Sequence, residues 1–328
     1  MSPLGAVLEW VVEYRPAWLR DEQIFRRRSI TLVQRLLTYI VMLDICFVFL
    51  IPLFYILSTS LKTAADLTDP TIVWIPHSFF WFTYPLAFLS LDYIRVELES
   101  FPFIIQGALW NSIYLSGVSA VGQTAACAFI GYGFGRLRFP GRDVLFGLVL
   151  FTFMVPPETI IVPLFILYKN LGWINTYNPF LGPSFYGHGL RGAVFVLIFR
   201  QFYRTLPWEL EEAARVDGAG AFGTWWRIML PLATPAIVVV FLFSIVWHWN
   251  DFFEPFIYLN RMEHFTLPMR LSVLSPTLDR VTGGQSSELF NEALMMAAVF
   301  LAILPPLSIY LFTQRYFIES IDRTGLVE

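Results

Sequence analysis

The densest run of aromatic and hydrogen-bonding side chains in this chain is Trp247, His248, Trp249, Asn250 and Asp251, followed by Glu254. It sits inside a long apolar stretch, where polar groups are expensive and mark candidate solute contacts. Aromatic faces beside short hydrogen-bonding groups suit a ring with apolar faces and hydroxyl edges, the chemistry of a sugar. Glu158, next to Pro156 and Pro157, is a second candidate, because proline breaks a helix and exposes its carbonyls to a cavity. A structural reading competes with this one. The tryptophans also fit an interfacial aromatic belt, and Asn250 also fits a tie between helices.

Other chemistries find no foothold. A phosphate-binding loop needs Gly-Lys followed by Ser or Thr, and the only lysines, Lys62 and Lys169, follow Leu61 and Tyr168. His77, His188, His248 and His264 form no pair at metal-binding spacing. No Gly-x-Ser-x-Gly elbow is present. No catalytic residue, bound cofactor or metal is therefore expected in this chain. Cys46 and Cys127 both fall inside apolar runs and read as small hydrophobes, not as a disulfide.

The elements that must position these residues are membrane helices. Hydrophobic types make up 56% and charged types 14% of the chain, and the mean hydropathy is +0.61. Such a balance excludes an ordinary soluble domain. The net charge of -3, without a basic stripe, gives no reason to expect nucleic acid. Six apolar stretches are long enough to cross a bilayer, near 32–58, 109–135, 144–168, 186–204, 232–258 and 290–313. The fourth is the weakest, because Arg191 and Arg200 lie near its ends. Residues 1–14 carry Glu9 and Glu13 and no positive start, so a cleaved leader is not expected. Fifteen of the 22 basic residues fall in the N-terminal segment, the loops after spans two and four, and the C-terminal tail. That bias predicts both termini in the cytoplasm. The expected organisation is all-α: a cytoplasmic extension over 1–31, one six-helix domain over 32–313 and a cytoplasmic tail over 314–328. In the external loop 60–108 the run Phe79-Phe80-Trp81-Phe82 reads as an aromatic belt, with part of the loop touching an external partner.

The most informative segment lies between spans four and five. Pro207 suits a first helical turn. Glu209, Glu211 and Glu212 complement the positive end of a helix dipole. Ala213 and Ala214 favour helix with little bulk. Gly218, Gly220 and Gly223 allow a stop and a sharp turn. A renewed apolar pattern through Trp225, Trp226, Ile228 and Leu230 ends at Pro231. A short helix over about 207–217, a glycine turn and a second helix are expected.

Glu212-Ala213-Ala214, Gly218, Ile228, Leu230 and Pro231 resemble, at every spacing, the cytoplasmic signature of permeases from binding-protein-dependent ABC importers. Further similarity is to the carbohydrate branch and its maltose-type second permease. It rests on Asn111-Ser112, on Arg136-Leu-Arg-Phe-Pro-Gly-Arg142, on Met154-Val-Pro-Pro157, on Ile161-Val-Pro-Leu164, on Asn175-Thr176, on Trp249-Asn250 and on Gln314-Arg-Tyr-Phe-Ile318. The extension before about residue 30 and the tail after Ile318 depart from that pattern.

The resemblance implies a coupling helix that docks in a groove on an ATPase subunit, with Glu212 and Asp217 offering charged contacts. It implies a dimer of ATPase subunits that use ATP and Mg, a second permease, an extracytoplasmic substrate-binding protein and a sugar or oligosaccharide as substrate. The location implied is a bacterial inner membrane, and the mechanism alternating access. In such pairs the other permease can hold most substrate contacts. Import of another solute, such as glycerol phosphate, polyamine or oligopeptide, stays open. A stand-alone carrier would need inverted repeats, and no clear internal repeat is found.

Overall fold

The computed structural model describes residues 17–72, 74–97, 104–189, 191–274 and 288–325. The first sixteen residues of the expected extension, together with Glu99, Arg280 and residues 326–328, lie outside that set. The chain divides into two units, residues 1–58 and 59–328.

The first unit is carried by α1 (Ala17–Ser60). The most apolar 18-residue window of its segment Thr31–Ser60 has a mean hydropathy of 2.7, and none of that window is buried by protein. A helix apolar on every face is a membrane element. Thirty residues reach about 45 Å, enough to cross a hydrocarbon core of about 30 Å with tilt.

The second unit begins with two short helices, α2 (Ala64–Thr68) and α3 (Thr83–Ser90). Two three-residue strands follow, β1 (Arg95–Glu97) and β2 (Ile104–Gln106), paired antiparallel with Val96 opposite Ile105. This small hairpin is the only strand structure among the described residues and leaves the all-α class intact. Phe79, Trp81 and Phe82 are exposed, as belt residues would be.

α4 (Ala108–Arg136) is the central helix of this unit. It packs against α7 (Asn178–Phe185), α8 (Gly192–Thr205) and α11 (Thr234–Asn250). Its buried face is a run of small and polar residues, including Ser112, Ser116, Ser119, Gln123, Cys127 and Ala128. Small side chains let helix backbones approach closely where lipid removes the usual hydrophobic drive. At Gly131 the approach is so close that a Cβ would collide with the Phe199 side chain of α8. Gln123 accepts a hydrogen bond from Ser244 Oγ of α11 at 2.7 Å, which fixes the register of the two helices.

One expected span is broken, and a second bend falls at the start of the fifth. α5 (Arg142–Met154) and α6 (Pro157–Asn170) meet at 97°, across Val155 and Pro156. α10 (Ala221–Leu232) and α11 meet at 77°. Prolines lie at both breaks, Pro156 and Pro157 at the first, Pro231 and Pro235 at the second, and each removes a helical N–H. The fourth expected span, 186–204, is corrected as well. Its helix starts only at Gly192 and reaches about 21 Å, because Arg191 adopts a left-handed φ of 63°. Among the described residues, three helices are long and apolar enough to cross a membrane, or five if each bent pair counts as one span. The fifth expected span ends at Asn250, and α12 (Phe253–Tyr258) and α13 (Leu267–Ser272) follow separately. α14 (Glu288–Gly325) runs through the expected end of span six at 313 without a break, despite Pro305 and Pro306.

Candidate functional site

The loop between α8 and α11 holds a short amphipathic helix, α9 (Glu209–Val216). It begins two residues later than the sequence suggests, because Pro207 and Trp208 form the approach and the first turn carries Glu209, Glu211 and Glu212. It ends in two nested hydrogen bonds. Gly218 N–H donates to Arg215 O at 3.0 Å, and Ala219 N–H donates to Ala214 O at 2.9 Å. That pattern requires a left-handed residue at Gly218, whose φ is 81°.

α10 resumes at Ala221 and widens into one π turn over Trp225–Met229, with Leu230 N–H donating to Trp225 O. The wide turn immediately precedes Pro231, whose ring would clash with a regular α-helical carbonyl.

The residues picked out by spacing divide into two groups. Glu212, Ala213, Asp217 and Gly218 are exposed, and Val216 beside them is 87% exposed. Ala214 is buried on the back of α9. Ile228 and Leu230 point inward and pack on the cluster containing Trp225, Met229 and Ala233. Pro231 is exposed and lies at the bend. The exposed group presents a surface, and the inward group fixes its angle to the bundle.

A residue pair that spacing does not reveal fastens α9 to the membrane helices. Glu211 is only 1% exposed, and its Oε1 lies 3.3 Å from Nε of Arg136, the buried last residue of α4. Arg215, one turn on, lies 3.7 Å from the other carboxylate oxygen. Burial pushes the Glu211 carboxyl above its ordinary pKa, and Arg136 and then Arg215 oppose that shift. Arg136 also donates to the carbonyls of Leu206 and Pro207. The guanidiniums of Arg136, Arg138 and Arg215 lie 5.1, 5.7 and 5.8 Å from the Trp208 ring centroid.

At the other end of α11, a cavity of about 230 Å³ opens among α5, α6, α7, the start of α8 and α12. Asp251, Glu254, His248, His188, Arg191 and Tyr258 supply its polar lining. Glu254 N–H donates to Asp251 Oδ1 at 3.4 Å, so Asp251 opens α12 and the two carboxylates sit on one side of the cavity. Tyr258 is 1% exposed, and its hydroxyl has no hydrogen-bond partner in the protein. Buried hydroxyls are costly without a partner, and this one stands behind the cavity wall.

The other sequence candidates lie elsewhere. Trp249 is turned away from the cavity, packs with Leu294, Ala297 and Ala298 of α14, and donates its Nε1 to Ala302 O at 3.2 Å. Trp247 stacks on Phe195 with centroids 5.0 Å apart, and Arg191 lies 5.8 Å from its ring centroid. Asn250 is exposed and donates to Val246 O of its own helix. Glu158 is exposed and outside the cavity lining. Of the original set, His248, Asp251 and Glu254 line the cavity. His188 and Arg191, from the connection between α7 and α8, and Tyr258, at the end of α12, were not legible as site residues, since packing and not local sequence brings them to the cavity.

An apolar helical bundle with an exposed, braced helix at one end and a polar cavity towards the other is the architecture of a membrane transport component. Residues 127–323 match the family described as binding-protein-dependent transport system inner membrane component. The chain is 31% identical over 295 residues to the arabinooligosaccharides transport system permease protein AraQ of Bacillus subtilis, covering 88% of this chain and 93% of that one. It is 28% identical over 261 residues to the sn-glycerol-3-phosphate transport system permease protein UgpE of Yersinia enterocolitica, covering 79% and 87%. A crystal structure of a bacterial ABC transporter involved in the import of the acidic polysaccharide alginate has the same fold. It aligns with a TM-score of 0.64 at 22% identity, over 92% of this chain and all of that one. The chain belongs to the binding-protein-dependent transport family. It is a multi-pass membrane permease subunit of an ABC importer, and ATP hydrolysis is the work of a separate subunit.

Proposed function

We propose that this permease imports a sugar or oligosaccharide, and that α9 is its coupling helix. The observation that carries the reading is the exposed face of Glu212, Ala213, Val216 and Asp217 on a helix braced from behind by Glu211 and Arg136. A relay must present a surface to its partner and must not slip against its own bundle. In this reading two ATPase subunits bind ATP and Mg and close on each other. The coupling helices of this chain and of a second permease follow them, and the bundles switch their opening from one side of the membrane to the other. An extracytoplasmic binding protein delivers the solute. Both termini and α9 lie in the cytoplasm, the spans cross the bacterial inner membrane with the third bent and the fourth shortened, and residues 1–31 and 314–328 flank them.

The sugar reading is supported by the AraQ relative and by the cavity chemistry. Asp251 and Glu254 accept from hydroxyls, Tyr168 and Tyr258 offer ring faces, and Arg191 is one cation against two carboxylates. That charge balance disfavours a phosphorylated solute. The test is ATP hydrolysis by the assembled transporter in liposomes, with its binding protein and a panel of oligosaccharides, sn-glycerol 3-phosphate and spermidine. A neutral oligosaccharide is expected to stimulate hydrolysis several-fold. Stimulation by glycerol phosphate or spermidine alone would refute the sugar reading.

If the cavity lies on the path, Asp251→Asn and Glu254→Gln each lose a charged hydrogen-bond acceptor. The half-saturating sugar concentration for uptake is expected to rise about tenfold or more in each. Uptake curves that superpose on the wild type would remove the cavity from the path.

A further inference from the structure

At the end of the bundle that carries α9, five arginines converge on one recess. Arg136, Arg138, Arg142, Arg200, Arg204 and the Trp208 ring line a pocket of about 250 Å³. They come from the end of α4, the start of α5 and the last turns of α8. Too few acids are present to neutralise them. Asp143 lies 3.1 Å from Arg142 and 3.9 Å from Arg200, and Glu211 pairs with Arg136. Among the described residues no carboxylate pairs with Arg138 or Arg204. The Arg200 side chain is 13% exposed, and its fully buried Nε donates to nothing in the protein. Like charges crowded together are costly to a fold, and an anion in the recess would relieve that cost.

The surroundings say which anion. Val144, Leu148 and Phe151 stand on one stripe of α5 and are 70%, 56% and 60% exposed. Phe139, next to Arg138 in the chain, is exposed too. A free phosphate would satisfy the arginines and leave that apolar stripe bare. A phospholipid would cover both, with its phosphate in the arginine forks and an acyl chain along the stripe.

We propose that this recess binds the headgroup of an anionic phospholipid. Arg138 and Arg204 are the free clamps, Arg142 and Arg200 add charge, and α5 guides the chain. Guanidinium forks match phosphate oxygens in pairs, and basic recesses between membrane helices on the cytoplasmic side suit anionic headgroups. Because Trp208 forms one wall and leads directly into α9, a bound lipid would press on the approach to the helix.

Native mass spectrometry of the assembled transporter tests this, with phosphatidylglycerol, phosphatidylcholine and inorganic phosphate as probes. The wild type is expected to bind phosphatidylglycerol at least tenfold more tightly than phosphatidylcholine. At about fivefold per arginine, Arg138→Gln with Arg204→Gln should weaken phosphatidylglycerol about 30-fold and leave phosphatidylcholine unchanged. Millimolar inorganic phosphate should not displace the lipid. Equal affinity of the wild type for the two lipids overturns the proposal even if the double variant does not assemble. Equal phosphatidylglycerol affinity in wild type and variant also overturns it. Displacement by phosphate would reassign the recess to a soluble anion and overturn the lipid assignment.

Discussion

Arg136→Ala is expected to unfasten α9 and to cost about 3–5 kcal/mol, the range for removing one partner of a buried ion pair. Arg136 is almost wholly enclosed, and among the described residues it is the one buried cation paired with Glu211, since Arg215 is largely exposed. Without it Glu211 keeps its burial and loses its main compensation, and the Leu206 and Pro207 carbonyls lose their donor. The approach to α9 loses its tie to the end of α4 at the same stroke. Thermal unfolding of the purified transporter should fall by several degrees, and the ATPase subunits should co-purify poorly. The paired replacement Arg136→Met with Glu211→Leu should recover most of the unfolding temperature, because a buried pair exchanged for apolar groups of similar size is near neutral. A single Arg136→Ala variant with wild-type unfolding and full ATPase retention would refute the anchor.

How much of this could be read in advance follows from what each residue depends on. α9 and its glycine stop were legible because they are local: three acids, two alanines and Gly218 stand within one short segment, and the nested hydrogen bonds span only six residues. Glu211 was not distinguishable from Glu209 and Glu212, which share its first turn. Its burial is decided by Arg136, from a different helix. Hydropathy located the third span but summed across its break, since an averaged window reports apolarity and not direction, while the fifth is expected to begin at its bend. The prolines at those breaks were visible, whereas the angles of 97° and 77° depend on packing. Aromatic content drew attention to Trp249, but its ring is directed by α14 and not by its own neighbours. One of the resembling pairs, Asn111-Ser112, is a structural tie. Asn111 Nδ2 donates to Glu263 O and Phe265 O at 2.8 and 3.0 Å, and Ser112 Oγ accepts from Leu267 N–H at 2.8 Å. The signature itself mixes presenting and positioning residues, and only burial separates them.

Ala213→Trp is the sharper test of the presenting face, because it changes bulk where nothing in this chain would object. Ala213 is exposed, one turn before Val216 and Asp217. As a surface change it should shift unfolding by no more than about 0.5 kcal/mol. Against a partner groove the same indole must either be accommodated or hold the two surfaces apart. Losses at the centre of a packed interface run to about 2–4 kcal/mol, or about 30-fold to 1000-fold in binding. Sugar-stimulated ATP hydrolysis and uptake should therefore fall by about a hundredfold while the unfolding temperature of the permease holds. Glu212→Arg, on the same face, should weaken coupling by reversing a charge without adding comparable bulk. The two classes of variant then separate cleanly. Arg136→Ala loses stability and coupling together, and Ala213→Trp loses coupling alone. Near-normal uptake by Ala213→Trp would mean that this face touches no partner during the transport cycle, and the force would have to enter the bundle through some other part of the chain.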